Sequence, residues 1–294
     1  MFTRLIPLGL LVVISGTMLS IVNGTPDTKV APAEIVTKHL EAIGSAEARS
    51  KVKGTRIQGS CLITVKEGGT GEAQGQAIFS SQGDMNLFKL AFESEADATW
   101  FKFDGSKSSV SQFRPGRRTS LENFFASYEI LFKEGLLGGV LTEAWPLLNI
   151  EKKNPKLESA SLKEVGGQKL LAIKYVPHKG SDLKITLFFE PDTFRHLRTE
   201  YSQTIYANEQ TRIAGGGGGL PPATNRRASN TRIDAFEEFS DFKEEQGLTL
   251  PHTYKFELSI QSEVRPALIN WTINFTDFKF STPFTGAEVS APKG

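Results

Sequence analysis

The sequence predicts a mostly β (α+β) protein, one large twisted antiparallel sheet with one or two helices packed on one of its faces. Three observations carry this. Apolar residues alternate with polar ones through most of the chain, the pattern of strands with one face on a core and the other toward water. The alternating runs are on the order of ten residues long, above the usual strand length, and follow one another closely, as in a meander. One aromatic-rich stretch between residues 119 and 148 has helical spacing instead.

Composition narrows the function classes. Of 294 residues, 39% are hydrophobic, enough for a core and too many for wholesale disorder. Thirty-four Lys and Arg stand against 33 Asp and Glu, a net charge of +1 that speaks against an electrostatic nucleic-acid binder. The one cysteine, Cys61, excludes an internal disulfide and any CxxC redox or zinc site.

The first element is an address. Arg4 supplies a positive charge, Leu5 to Val22 runs without any, and small residues follow around Asn23-Gly24-Thr25. This is the pattern of a secretory signal peptide over residues 1–24. The alternative is a permanent anchor, since about 18 apolar residues can cross a bilayer; Pro7, the glycines and the small exit favour cleavage. The apolar run has no Cys at its end to carry a lipid, and no later segment approaches a span. The expectation is a single domain over residues 25–294, periplasmic or secreted, with 33 basic and 33 acidic residues.

A helix over Ala33–Ala42 follows, with Ile35, Val36, Leu40 and Ile43 at helical spacing and Gly44 to end it. Strands then dominate. Ile57, Gly59, Cys61, Ile63 and Val65 share one face, as do Leu183, Ile185, Leu187 and Phe189. Later, Tyr254, Phe256, Leu258 and Ile260 alternate in the same way, then Ile269, Trp271, Ile273 and Phe275. Past Phe275 the phase slips to Phe278 and Phe280, which a bulge at Asp277 explains. Further strands are expected over 73–81, 84–93, 98–103, 107–113, 156–165, 168–177, 194–206 and 230–242.

Two stretches interrupt the sheet. Thr119-Ser-Leu-Glu122 resembles a capping box. Phe124, Phe125, Tyr128, Leu131, Phe132 and Leu136 behind it predict one helix over 120–137, ended or bent at Gly138-Gly139. A second short turn is expected from Thr142 to Leu148. The other stretch, 212–229, holds five consecutive glycines and is expected to be a mobile hairpin tip. It lacks the Gly-Lys-Ser/Thr and following helix of a phosphate loop.

Chemistry-bearing patterns are sparse. His39, His178, His196 and His252 lie on separate elements with no metal-ligand spacing, and each is expected at the surface or partly buried. Cys61 falls on the inward phase of its strand, where a thiol behaves as a small apolar residue. Ser-x-x-Lys occurs three times, two of them on strands, and there is no Gly-x-Ser-x-Gly elbow. Glu237, Glu238, Asp241, Glu244 and Glu245 lack the spacing of a calcium loop and, with Lys243, Phe239 and Phe242 between them, fit an exposed strand edge and its turn. Asn270-Trp-Thr and Asn274-Phe-Thr match the glycosylation sequon, yet their Asn and Thr also serve as the polar side of one strand. No catalytic residue, cofactor or metal is expected.

Two stretches are wordlike: the helix ending Lys38-His-Leu-Glu-Ala-Ile-Gly44, and Phe239-Ser-Asp-Phe-Lys-Glu-Glu-Gln-Gly-Leu-Thr-Leu-Pro-His-Thr-Tyr254, a strand, a Gly turn and a Leu-Pro opening the next strand. With these, most of the mature chain resembles the LolA-like superfamily in pattern. Its members include the periplasmic lipoprotein carrier, the outer-membrane lipoprotein receptor, mycobacterial lipid-transfer lipoproteins and a regulator of envelope stress signalling. The resemblance implies a half-open, strongly curved antiparallel sheet whose concave side is plugged by helices and holds lipid or lipoprotein acyl chains. This chain is longer than the carrier and carries the Gly-rich insertion.

An aromatic helix on a concave sheet leaves an apolar cleft between them, the usual form of a small-molecule site. Phe124, Phe125, Tyr128, Phe132, Leu136 and Trp145 are therefore the expected lining of a cavity for acyl chains. The same residue types also fill a dry core, and the sequence leaves that choice open. The expected function is a non-catalytic periplasmic carrier of lipid or acylated protein, touching membranes only transiently. The alternative is an envelope protein-interaction or sensing module with no lipid ligand. An enzyme would need a clustered His, Ser or carboxylate constellation that the spacing does not contain.

Overall fold

The computed structural model describes residues 30–92, 98–112, 116, 118–206, 230–263 and 265–284. The expected export signal at 1–24 and the glycine-rich segment at 212–229 lie outside these residues.

Helices α1 (Pro32–Ile43) and α2 (Ala46–Lys51) lead into β1 (Thr55–Lys66), β2 (Thr70–Gln82), β3 (Met85–Ala91), β4 (Thr99–Phe103) and β5 (Ser108–Val110). A helical crossover follows, with α3 (Ser120–Ser127), α4 (Ile130–Lys133), a 3₁₀ turn at Gly139–Leu141 and α5 (Ile150–Lys153). The chain then runs through β6 (Lys156–Val165), β7 (Gln168–Val176), β8 (Lys184–Phe189) and β9 (His196–Ile205). It finishes with β10 (Thr231–Glu245), β11 (Leu248–Gln261) and β12 (Ala267–Phe280).

Among the described residues, all twelve strands belong to one antiparallel sheet in the spatial order β5-β4-β3-β2-β1-β12-β11-β10-β9-β8-β7-β6. The order dictates where the helices go. The first five strands run outward from β1 to one edge, and the last seven start at the opposite edge and return to pair with β1. The segment between β5 and β6 must therefore cross from edge to edge over one face, and its apolar side chains are buried against that face.

Curvature follows from one set of ring contacts. Phe101 on β4 and Phe256 on β11 are five strand spacings apart, about 24 Å in a flat sheet at ~4.8 Å per strand. Both nevertheless contact Phe125 of α3, with ring centroids at 4.2 and 5.5 Å. Only a strongly curved sheet wrapped around α3 brings them together. The inward residues of every long strand, among them Ile57, Phe79, Phe88, Ile173, Leu187, Tyr201, Phe239, Tyr254 and Ile273, form one continuous core with the crossover.

Three expectations need correction. The helix over 120–137 is two short helices. Its capping box is present, with Thr119 Oγ1 accepting from Glu122 N at 3.2 Å and Glu122 Oε2 accepting from Thr119 N at 2.8 Å. The helix leaves α geometry at Tyr128 (φ −114°, ψ 57°), and Gly135 and Gly138 then take φ of +74° and +80°. A Cβ on Gly135 would lie 1.9 Å from the Ala144 carbonyl oxygen, so the returning chain packs where a straight helix would carry a side chain.

His39 and His196, expected at the surface or partly buried, are 1% exposed. In β9, Phe188 faces Arg198 while Phe189 faces His196, so Leu197 is an extra residue that turns His196 inward beside Thr199 and Tyr201. Glu237, expected at an exposed edge, is fully buried, because Ile233, Ala235, Glu237 and Phe239 form the inward row of β10. The bulge anticipated at Asp277 lies beside it: Gln58 faces Asp277 and Gly59 faces Phe275, leaving Thr276 unpaired.

Candidate functional site

The concave side holds a packed interior, several buried polar clusters and an open groove. The interior is aromatic. Phe125 stacks on Trp271 at 6.1 Å and packs on Phe132 at 5.4 Å, and Phe132 reaches Phe88 and Phe101. Trp145, carried by the chain returning after the 3₁₀ turn, stacks on His196 at 4.7 Å.

The first polar cluster centres on Glu237. Its Oε1 accepts from the Gly138 backbone N–H at 2.7 Å and from the Tyr254 hydroxyl at 2.6 Å, and its Oε2 accepts from the Tyr201 hydroxyl at 2.8 Å. Burial pushes its carboxyl up to about 7, and these three donors only partly offset that. A buried carboxyl needs donors, and this one recruits them from two strands and the crossover.

The second cluster pairs the two histidines. Trp145 Nε1–H donates to His39 Nε2 at 3.1 Å, which assigns the remaining ring proton to Nδ1, donating to the Phe194 carbonyl at 3.0 Å. His39 is thus neutral, and burial lowers it to about 4. His196 Nε2 lies 2.9 Å from the Thr199 hydroxyl and is also held well below the ordinary range by burial. Their rings are 6.1 Å apart. His252 is not part of this cluster; its Nε2 lies 3.1 Å from Glu245 Oε1. Cys61 is buried, and its thiol is pushed up to about 12, so it has no thiolate character at neutral pH. Among the described residues no three His, Cys, Asp or Glu side chains converge to hold a metal ion.

The groove lies where α3 overhangs β8, β9 and β10. It encloses about 1010 Å³, with Phe124 and Tyr128 on the helical wall and Ile205, Ile233 and Ile260 on the sheet. Lys184, Arg232 and Arg265 stand at its rim with Asp182, and Arg232 is already paired with Asp234 at 2.7 Å. Tyr128 donates to Gln203 Oε1 across the groove, tying helix to sheet.

The six candidate residues divide here. Phe124 and Tyr128 line the groove. Phe125, Phe132, Leu136 and Trp145 are fully buried in the packed interior behind it. The polar clusters around Glu237 and His39 escape sequence reasoning. For Glu237 a signal exists in the two-residue phase of Ile233, Ala235 and Phe239. For His196 it does not, because the Leu197 bulge reverses the phase.

No protein-family model matches this chain, and no curated protein is similar to it in sequence. Among solved structures the chain is similar to a LolA superfamily protein from Nitrosomonas europaea, at 9% identity over 87% of this chain and 96% of that one, TM-score 0.45. It is similar to an outer membrane lipoprotein-sorting protein domain from Vibrio parahaemolyticus, at 12% identity over 86% of this chain and 96% of that one, TM-score 0.34. The MucA/MucB complex of Pseudomonas aeruginosa matches at 11% identity over 84% of this chain and 99% of that one, TM-score 0.21.

Proposed function

We propose that this chain is a non-catalytic binding protein of the periplasm, one domain from residue 25 onward, that carries lipid or lipoprotein acyl chains between the curved sheet and α3. The observation that carries the reading is the groove of about 1010 Å³ with Phe124, Tyr128, Ile205, Ile233 and Ile260 in its walls. Its size is at the upper end of ordinary ligand pockets. Each buried methylene contributes about 0.8 kcal/mol, so one long chain is held without any catalytic group. Phe125, with its ring 5.2 Å from Phe124, and Phe132 behind it back this cleft. In this reading the first 24 residues are a cleaved export signal.

Native mass spectrometry of the exported chain, purified without detergent and followed by lipid extraction, tests it. A stoichiometric acyl-bearing species that disappears in Phe124→Asp, with the fold retained by circular dichroism, is expected. A protein that is empty and refuses a fluorescent fatty acid overturns it.

A second reading, an envelope protein-interaction module, is favoured by the polar share of the same lining. Asn123, Ser202, Gln203 and Thr204 offer amide and hydroxyl groups suited to an extended polypeptide. An empty protein would leave this reading standing.

A further inference from the structure

β10 outruns the strand beside it. Its ladder with β11 continues to Glu245 and Leu248, whereas its ladder with β9 ends at Glu238 and Arg198. The hairpin turn decides which backbone groups this leaves over. Gln246 and Gly247 have φ of +53° and +83°, the two-residue turn that makes Glu245 and Leu248 a hydrogen-bonded pair. Backbone direction alternates from there, so the N–H and C=O groups of Glu244 and Phe242 point away from β11, off the open edge. Pro251 opposite Phe242 agrees, since a proline has no N–H to give to β10. Asp241 sits at φ +54°, yet the register with β11 is the same on both sides of it. Among the described residues no turn or loop pairs with the free groups of Phe242 and Glu244.

The side chains along this edge belong to the outer face of the sheet. Glu238, Ser240, Phe242 and Glu244 are out of phase with the inward Glu237 and Phe239. Beside them lies an open depression of about 710 Å³, with Arg195, Leu197 and Phe242 in its lining. Leu197 and Phe242 are half-buried and offer a small apolar contact. Most nearby charges are spent: Glu238 on Arg198, Asp241 on Lys243 and Glu245 on His252. Arg195 lies over the Phe242 ring at 5.3 Å and has no carboxylate partner among the described residues. Glu244 is exposed and has no cationic partner among them. An unspent anion thus marks the hairpin end of the open edge, and an unspent cation the end next to β9.

We propose that this edge takes up an extended segment of another polypeptide as an added antiparallel strand, with a basic residue opposite Glu244, an apolar one opposite Phe242 and an acidic one opposite Ser240, within reach of Arg195. The hydrogen-bonding groups select the occupant: donors and acceptors repeating at strand spacing match an extended backbone. The charges select its direction. A strand entering in line with β9 runs antiparallel to β10, so its N-terminal end meets Glu244 and its C-terminal end meets Arg195. The site is on the face opposite the groove and stands whether or not the groove carries lipid.

Nuclear magnetic resonance titration of the purified chain with the capped peptide Lys-Thr-Val-Thr-Glu tests this. The amides of Phe242 and Glu244 should exchange freely in the protein alone, then shift and slow by about tenfold or more near saturation with peptide. N-methylation of the peptide valine, whose N–H faces β10, should abolish binding, whereas N-methylation of a threonine, whose N–H faces away, should leave it. The reversed peptide Glu-Thr-Val-Thr-Lys should bind about fivefold more weakly at low salt, the scale of exposed ion pairs. Glu244→Pro removes one edge N–H that β11 does not use and should abolish binding, with the fold retained by circular dichroism. Ser127→Trp, in the groove, should leave binding unchanged. The proposal is overturned if the two amides are already protected in the protein alone, if no peptide binds, if the reversed or valine-methylated peptide binds equally well, if folded Glu244→Pro binds as the parent does, or if Ser127→Trp removes binding. It is equally overturned if sedimentation shows a peptide-free dimer that Glu244→Pro dissociates, which would give the edge to a second copy of this chain.

Discussion

Glu237 on β10 accepts a 2.7 Å hydrogen bond from the backbone N–H of Gly138, 99 residues earlier in the chain. This bond fastens the crossover to the middle of the sheet. Gly138 is at φ +80°, and a Cβ there would lie 2.8 Å from the Phe88 ring, so the turn that offers its N–H to Glu237 depends on glycine. Tyr201 and Tyr254 flank the carboxylate from the neighbouring strands and give it all their hydroxyl hydrogens.

Glu237→Ala should destabilise the protein by about 3 kcal/mol, because it strands two tyrosine hydroxyls and a backbone N–H in the interior. Glu237→Gln should cost about 1 kcal/mol, since its carbonyl still accepts and a tyrosine hydroxyl can turn to accept from the amide. Urea denaturation at fixed pH measures both. Equal losses for the two variants would contradict the hydrogen-bonding role.

The same carboxyl predicts a pH signature. Its folded value of about 7 lies above the ordinary 4.5, so the folded protein holds this proton more tightly than the unfolded chain does. The resulting stability is fully present below pH 4.5 and is lost as pH rises through about 7. The stability of the parent relative to Glu237→Gln should therefore fall over that window, as read by thermal melts from pH 4.5 to 8. A constant gap would show that Glu237 titrates as an ordinary carboxylate.

His39 predicts the opposite slope. Its folded value of about 4 lies below the ordinary 6.5, so its contribution is present above pH 6.5 and lost as pH falls through about 4. Across that span it amounts to about 3 kcal/mol. In His39→Gln the acid side of the stability profile should flatten. Nuclear magnetic resonance titration of the His39 ring, with midpoint near 4, checks the cause directly; a midpoint near 6.5 would refute it.

Phe132→Ala should cost about 3–5 kcal/mol, the range for removing a fully buried ring among Phe88, Phe101 and Phe125. The cavity left is apolar and should take up a small aromatic such as benzene, raising the melting temperature of the variant and not of the parent. A loss under 1 kcal/mol would mean that the interior repacks around the gap.

Gly135→Ala tests the break in the crossover. At φ +74°, with a Cβ placed 1.9 Å from the Ala144 carbonyl oxygen, alanine should cost about 1–3 kcal/mol or more. Gly166→Ala, at φ +58° in an open hairpin turn with nothing within 4 Å, should cost less by the packing share. Equal losses at the two sites would assign the whole effect to backbone strain.

How far the molecule is legible in its sequence depends on the range of the interaction concerned. Alternation over Ile57–Val65, Tyr254–Ile260 and Ile269–Phe275 marks β1, β11 and β12, because a strand facing a core on one side and water on the other displays that directly. The helix expected over Ala33–Ala42 is α1, and the capping box at Thr119 starts α3, since caps are satisfied within four residues. The phase slip past Phe275 marks a real bulge, one residue from the expected place, at Thr276. Glu237 hides in plain alternation: four neighbouring acids, Glu238, Asp241, Glu244 and Glu245, draw attention to the outer face and the turn of β10.

The sequence by itself determined the local matters: which segments are strands, which residues of a regular strand face inward, where α1 and α3 begin, and that a stretch of aromatic residues must find an apolar face. Tertiary structure alone decided that β5 and β6 lie at opposite edges, and hence that the crossover spans the whole concave side. It also decided that Phe101 and Phe256 meet on Phe125, that the Leu197 bulge turns His196 toward Trp145, and that Gly138 meets Glu237. Periodicity and capping are written within one or two turns of chain. Curvature, strand order and the burial of a charge arise from contacts between residues tens to hundreds of positions apart, which no local pattern specifies.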